Sequence, residues 1–493
     1  MCPSSFSKEK LRWTKDVSAR DIESPKVIQV NTFLIYYSVL FVEKHYERRL
    51  KMDKKYYDLT AAQKILFVSQ KYTIYKQVNN ICTSVLMDKE LDYNIMKQAV
   101  DIAYKRNDAF RIRVVEVDKE AKQYFAEHEE PYLSYLSFTG ISDEDMDKKL
   151  HKLAKKKVSN FGKQMSRIYF LRSNDNRCGL FFVVSHFIMD SWAITTFYKD
   201  VFAVYEAIKN STEMPKPLYP YEKLLKEELH YKKTAHYLKD LAFWEEELDA
   251  SEPIYTHVNG AIELEKYRKK KNDDSLRYGP FFTFFSNANN TMLPFPKDLV
   301  DKMEEYCTEN KITMQSVVLL ALRSYLAKVN NVDDVSMYTI VARRGKLKEK
   351  NTGGSRVHYF PLRTIFSEED DFKSSSEFIR NKLSSIFKHA NINPREVAQI
   401  TNEKFDVPQL GTYFIGMMTF QPVKLQLTDG TRIETKWYGN GAIATPFYLT
   451  VMDGDASGGL KFYYEYHKNR VNEDTIKKLH EFMIDYIEEG IKE

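Results

Sequence analysis

Only four cysteines occur in 493 residues, Cys2, Cys82, Cys178 and Cys307, and no two form a CxxC pair. That removes the usual zinc and dithiol-redox spacings and fits a reducing, cytoplasmic compartment. A long apolar run is missing as well. The nearest is residues 33–42, far short of the roughly 18 apolar residues of a membrane span and without the flanks of a signal peptide. One-signed charge is also lacking: 74 Lys and Arg face 69 Asp and Glu, leaving a net +5. A chain so balanced makes no case for nucleic acid as a partner. Internal repeats and low-complexity segments are absent. So are a P-loop, an adenylation-domain signature and a carrier-protein Gly-Gly-x-Ser site. His, Glu and Cys nowhere cluster at metal-ligand spacing, so neither a metal nor a permanently bound cofactor is expected.

What is present is an ordinary globular composition, 43% hydrophobic and 29% charged, with 33 Tyr and 31 Phe. Residues 1–51 are polar and basic, show no sustained period and read as an N-terminal extension. Beyond them strand and helix patterns alternate. Strands are predicted over 78–87, 111–117, 123–128, 167–171 and 180–185, and helices over 93–106 and 143–157. The clearest helix carries Ile194, Phe197, Tyr198, Val201, Phe202 and Tyr205 on one stripe. Pro215, Pro217 and Pro220 then mark a linker, dividing a lobe over 52–230 from a second over 231–493. The second lobe should hold a helix near 243–248, a charged loop over 268–274 and an apolar strand over 281–285. A helix over 313–329, strands over 335–341 and 460–466, and a closing helix capped by Asn472 complete it. The expectation is an α/β protein of two lobes, each a mixed sheet flanked by helices.

Chemistry concentrates in Phe181-Phe-Val-Val-Ser-His-Phe-Ile-Met-Asp-Ser-Trp192. His186 falls at the end of a buried strand, where a sheet holds the backbone rigid while the side chain meets a cleft. A neutral imidazole there can accept a proton. Asp190 follows four residues later, too close to act as a free second catalyst, and is expected to turn inward onto an arginine. Alone, His-x-x-x-Asp is a weak signal, and more often than not such a residue is only a hydrogen-bonded histidine at a strand end.

Context strengthens it. Ser185-His-Phe-Ile-Met-Asp-Ser191 resembles the His-His-x-x-x-Asp-Gly motif of non-ribosomal peptide synthetase condensation domains and related chloramphenicol-acetyltransferase-like acyltransferases. Asp58-Leu-Thr-Ala-Ala-Gln63 resembles the family's opening Leu-Thr-Pro-Ala-Gln. Arg106-Asn-Asp-Ala-Phe-Arg-Ile-Arg113, Phe243-Trp244, Thr339-Ile-Val-Ala-Arg-Arg344, Val357-His-Tyr-Phe-Pro-Leu-Arg363 and the segment 460–466 match further family segments, in the family's order. The resemblance implies two acetyltransferase-like lobes in a V around a central tunnel. Thioester substrates on phosphopantetheine arms of carrier proteins, or on coenzyme A, would enter from opposite faces. It implies His186 as the catalytic residue, Asp190 as the structural aspartate and Arg344, rather than Arg343, as its partner.

Departures are equally specific. Ser185 replaces the first motif histidine and Ser191 the motif glycine, whose backbone freedom a serine lacks. His358 and Tyr359 stand where the family has Asn-Thr, and Tyr448 replaces the aspartate of Phe-Asp-Leu-Thr. Ser185, Ser191, Trp192 and His358 are therefore candidate substrate-channel residues. Three readings follow: thioester-to-amine transfer, O-acyl transfer to an alcohol from a coenzyme A thioester, and a degenerate carrier-protein docking module, which Ser191 favours.

Overall fold

The computed structural model describes residues 54–127, 129–159, 161–280, 286–367, 370–408, 410–414, 416–455 and 458–492. The extension over 1–51 and the strand expected over 281–285 lie outside them. Two six-stranded mixed sheets organise Tyr56–Glu493, which forms one compact unit.

The first sheet is ordered Leu425–Gln426, Arg432–Trp437, Asn80–Met87, Cys178–Ser185, Ser166–Arg172, Leu133–Ser137. Cys178–Ser185 is central and buried at every position. Covered on both faces, it reads in sequence as an unbroken apolar run rather than an alternation. Helices Tyr93–Lys105 and Ser191–Asn210 pack together against one face of this sheet, and the stripe Ile194, Phe197, Tyr198, Val201, Phe202, Tyr205 is buried there. Its first two strands come from the second half of the sequence. Arg432–Trp437 runs antiparallel to Asn80–Met87, with Trp437 opposite Thr83. The lobe expected over 52–230 is thus completed by residues beyond 420.

The second sheet is ordered His358–Ile365, Asp334–Val341, Gly416–Gln421, Phe447–Asp455, Gly458–His467, Ala288–Phe295. Its core faces helices Met314–Asn330 and Glu473–Gly490, with Leu460, Phe462, Tyr464 and Tyr466 from one strand turned inward. Asn472 caps the closing helix as expected, accepting from the Thr475 N–H at 2.8 Å.

The charged loop expected over 268–274 is corrected. Arg268–Lys271 belong to helix Ile262–Lys271, which ends at Asn272 in the left-handed region (φ 54°). Leu264 is its only buried residue, so no apolar stripe betrays the helix in sequence. Among the described residues no single helix is long and apolar enough to cross a membrane.

Candidate active site

The turn after Cys178–Ser185 is held from inside. Phe187, Ile188 and Met189 are fully buried, leaving His186 as the partly exposed residue of the turn. The His186 N–H donates to the Asn79 carbonyl at 2.7 Å, and Gln63, buried in helix Ala61–Tyr72, donates to the Phe187 carbonyl at 3.1 Å. The segment 58–63 thus helps fix the turn.

Asp190 makes more contacts than the sequence suggested. It caps helix Ser191–Asn210, accepting from the Ala193 N–H at 2.8 Å. Arg344 Nη2 donates to both carboxylate oxygens at 2.9 and 3.0 Å, and the Arg356 N–H donates to Oδ2 at 2.9 Å. Arg344 also holds the Glu349, Thr352 and Gly354 carbonyls at 2.7–3.0 Å. One buried carboxylate therefore caps the motif helix and ties it to the second lobe. Arg343 turns elsewhere, to Glu228 at 3.1 Å.

His186 Nδ1 lies 3.1 Å from the hydroxyl of Ser355, a fully buried residue of the second lobe that sequence reasoning missed. No local pattern marks Ser355, since 169 residues separate it from His186. In the tautomer that donates from Nδ1, Nε2 keeps its lone pair free to accept a proton. Burial holds the imidazole below its ordinary pKa, partly offset by the Asp190 charge and a hydrogen bond to its own backbone. The neutral ring is thereby favoured.

Gly354 makes the approach of Ser355 possible. Its φ is +85°, and a Cβ there would meet the Tyr221 ring at 2.0 Å. Gly354→Ala is expected to cost about 1–3 kcal/mol in stability and to displace Ser355. Urea unfolding checks the first effect and turnover the second.

The candidate channel residues divide. Ser191 and Trp192 line a cavity of about 920 Å³, together with Arg343, Thr419, Phe420 and Trp437. Ser191 is the first residue of a regular helix and has no positive φ, so the loss of the motif glycine brings no backbone strain. Ser185 and His358 require correction. Ser185 is fully buried and shares a hydrogen bond with Ser159 at 2.7 Å. His358 is buried between the Ala390 carbonyl at 3.0 Å and Arg343 at 2.9 Å, and its pKa is driven well down by burial and then by Arg343. Both are packing residues with their polar atoms satisfied inside the protein.

A second hollow of about 200 Å³ includes Phe67, Lys71, Ser159 and Phe161 in its wall. Ser159 bonds Ser185, and Phe161 packs edge-on against Phe187. Residues flanking His186 thus touch the wall of this hollow, and Ser191 and Trp192 line the large cavity, while His186 itself lines neither. Among the described residues no group of three or more His, Cys, Asp or Glu could hold a metal ion.

Two mixed sheets with helices outside, meeting over a histidine at a strand end, make this a chloramphenicol-acetyltransferase-like fold. The chain belongs to the condensation domain family, whose model matches residues 53–493. It is 20% identical over 452 residues to surfactin synthase subunit 1 of Bacillus subtilis (strain 168), covering 89% of this chain and 12% of that protein. To bacitracin synthase 1 of Bacillus licheniformis it is 20% identical over 448 residues, 90% of this chain and 8% of the other. The chain therefore spans about a tenth of the length of these relatives.

Solved structures agree on the fold. The first condensation domain of the calcium-dependent antibiotic synthetase, in complex with a substrate analogue, superposes with TM-score 0.73 at 15% identity, covering 88% of this chain and 95% of that one. A mutant starter condensation domain of rhizomide synthetase RzmA in complex with C8-CoA gives 0.74 at 15% identity, covering 91% and 97%. VibH, a condensation enzyme, gives 0.68 at 14% identity, covering 87% and 95%.

Proposed function

We propose that this protein is an acyltransferase that joins a thioester-bound acyl or aminoacyl group to an amine. The observation that carries this reading is His186, partly exposed on a rigid turn, its Nδ1 held by Ser355 and its Nε2 without a partner among the described residues. The acceptor nitrogen attacks the thioester carbonyl carbon, forming the C–N bond, and its proton passes to His186 Nε2. The tetrahedral intermediate then collapses with cleavage of the C–S bond, and His186 returns the proton to the leaving sulfur. The products are an amide and a free thiol.

The donor arm is phosphopantetheine on a carrier protein, or coenzyme A, as the C8-CoA complex of the rhizomide relative suggests. Ser191, the residue that favoured a degenerate docking module, has ordinary helical geometry and gives that reading no support. The buried, free thiols of Cys82, Cys178 and Cys307 fit a reducing, cytoplasmic setting.

The test is to offer acyl-coenzyme A and acyl-carrier-protein donors to paired amine and alcohol acceptors and to identify products by mass. An amide is expected. An ester instead would assign O-acyl transfer. The pH profile provides a separate check. A general base works only when neutral, so a depressed pKa extends activity to lower pH. The acid limb of kcat/KM should have its midpoint below the ordinary histidine value of about 6.5. A midpoint above that value contradicts the role given to His186.

A further inference from the structure

The second sheet turns a polar face toward the first lobe. Along Gly458–His467 the apolar residues enter the core, so Lys461, Tyr463 and Glu465 point the opposite way by alternation. Glu465 has Tyr448 beside it on one neighbouring strand and Asn290 on the other. It is surrounded by protein but not sealed from solvent. Among the described residues its carboxylate makes no hydrogen bond or ion pair. Burial, with no cation to offset it, pushes this carboxyl up to about 7.

The neighbouring groups lead from Glu465 toward the large cavity on one side and toward the strand that precedes His186 on the other. Tyr448 shares a 2.7 Å hydrogen bond with Thr419, which lines the 920 Å³ cavity. Asn290 and the Tyr463 hydroxyl crowd Gly439 so closely that a Cβ there would meet them at 2.6 and 2.9 Å. The next residue, Asn440, donates to the Asn80 carbonyl at 2.9 Å, and Asn80 pairs with Ser185, immediately before His186. The Tyr463 hydroxyl is itself buried with no partner among the described residues, and the Glu465 charge reaches its phenol.

A carboxylate and a hydroxyl on one face of a strand, both without a partner among the described residues, are costly unless a ligand satisfies them. Their chemistry calls for an organic cation with N–H donors. An attacking amine must be neutral, so it cannot be the group that this carboxylate holds. We propose that Glu465, assisted by the Tyr463 hydroxyl, binds a second, protonated amine of the acceptor, which makes diamines the preferred nucleophiles. The diamine is either a free small molecule or a carrier-bound amino acid with a basic side chain. The inference rests on the amide-forming reading above.

The test compares kcat/KM for 1,5-diaminopentane with pentylamine, and for lysyl with norleucyl N-acetylcysteamine thioester, using one acyl-coenzyme A donor. The basic member of at least one pair should be favoured by about 10- to 100-fold, and the responding pair identifies the source. Glu465→Gln should bring that ratio toward one, mainly through KM, while Glu465→Asp keeps part of it. Equal use of both members by the wild type overturns the inference and leaves amide formation standing. So does a preference that persists in Glu465→Gln. Acylation of no amine at all overturns the underlying reading, and the inference with it.

Discussion

Exchanging His186 for alanine should lower acceptor-dependent turnover by about 10²–10⁴-fold, the range expected for loss of a general base. The unfolding midpoint should barely move. The turn is held by the buried Phe187, Ile188 and Met189 and by Asp190, none of which needs the imidazole. Outside its backbone bonds, His186 gives up only the contact with Ser355 at 3.1 Å. Rate measurements with both substrates saturating, alongside thermal melts, separate chemistry from folding. A variant that melts early and turns over slowly would make His186 a structural residue instead.

Asp190→Ala should act in the opposite proportion, lowering unfolding free energy by about 3–5 kcal/mol as expected when one partner of a buried ion pair is removed. Asp190 and Arg344 are both essentially inaccessible to solvent. Removing the carboxylate leaves the Arg344 charge buried with only carbonyl partners and strips the cap from helix Ser191–Asn210. Asp190→Asn keeps a capping oxygen and loses the charge, so it should fall between wild type and the alanine variant. Urea unfolding followed by circular dichroism checks the series. Equal stability of all three proteins would mean that the Asp190–Arg344 contact does not hold the lobes together.

Much of the fold was legible because its elements carry their own periodicity. The stripe from Ile194 to Tyr205, the apolar run ending at Ser185 and the capped helix after Asn472 follow from side-chain spacing alone. Helix Ile262–Lys271 was missed because it is charged on nearly every face. The strand Arg432–Trp437 gives no hint in sequence that it completes a sheet begun at Asn80, some 350 residues earlier in the chain. Within the site, motif position pointed to His186, Asp190 and Arg344. It also suggested Ser185 and His358 as channel residues, because spacing along a strand does not reveal which side chains the neighbouring lobe covers. Ser355 and Glu465 remained invisible for the same reason. Each matters through partners far away in sequence.

The most direct test of the central claim is thiol release from acyl-coenzyme A and acyl-carrier-protein thioesters, with and without acceptor, by wild type and His186→Ala side by side. The account predicts release that depends on an amine acceptor and vanishes in the variant. Undiminished release by a folded His186→Ala protein would contradict it. So would no release from any donor by a folded wild type that still binds carrier protein, which would make the chain a docking module.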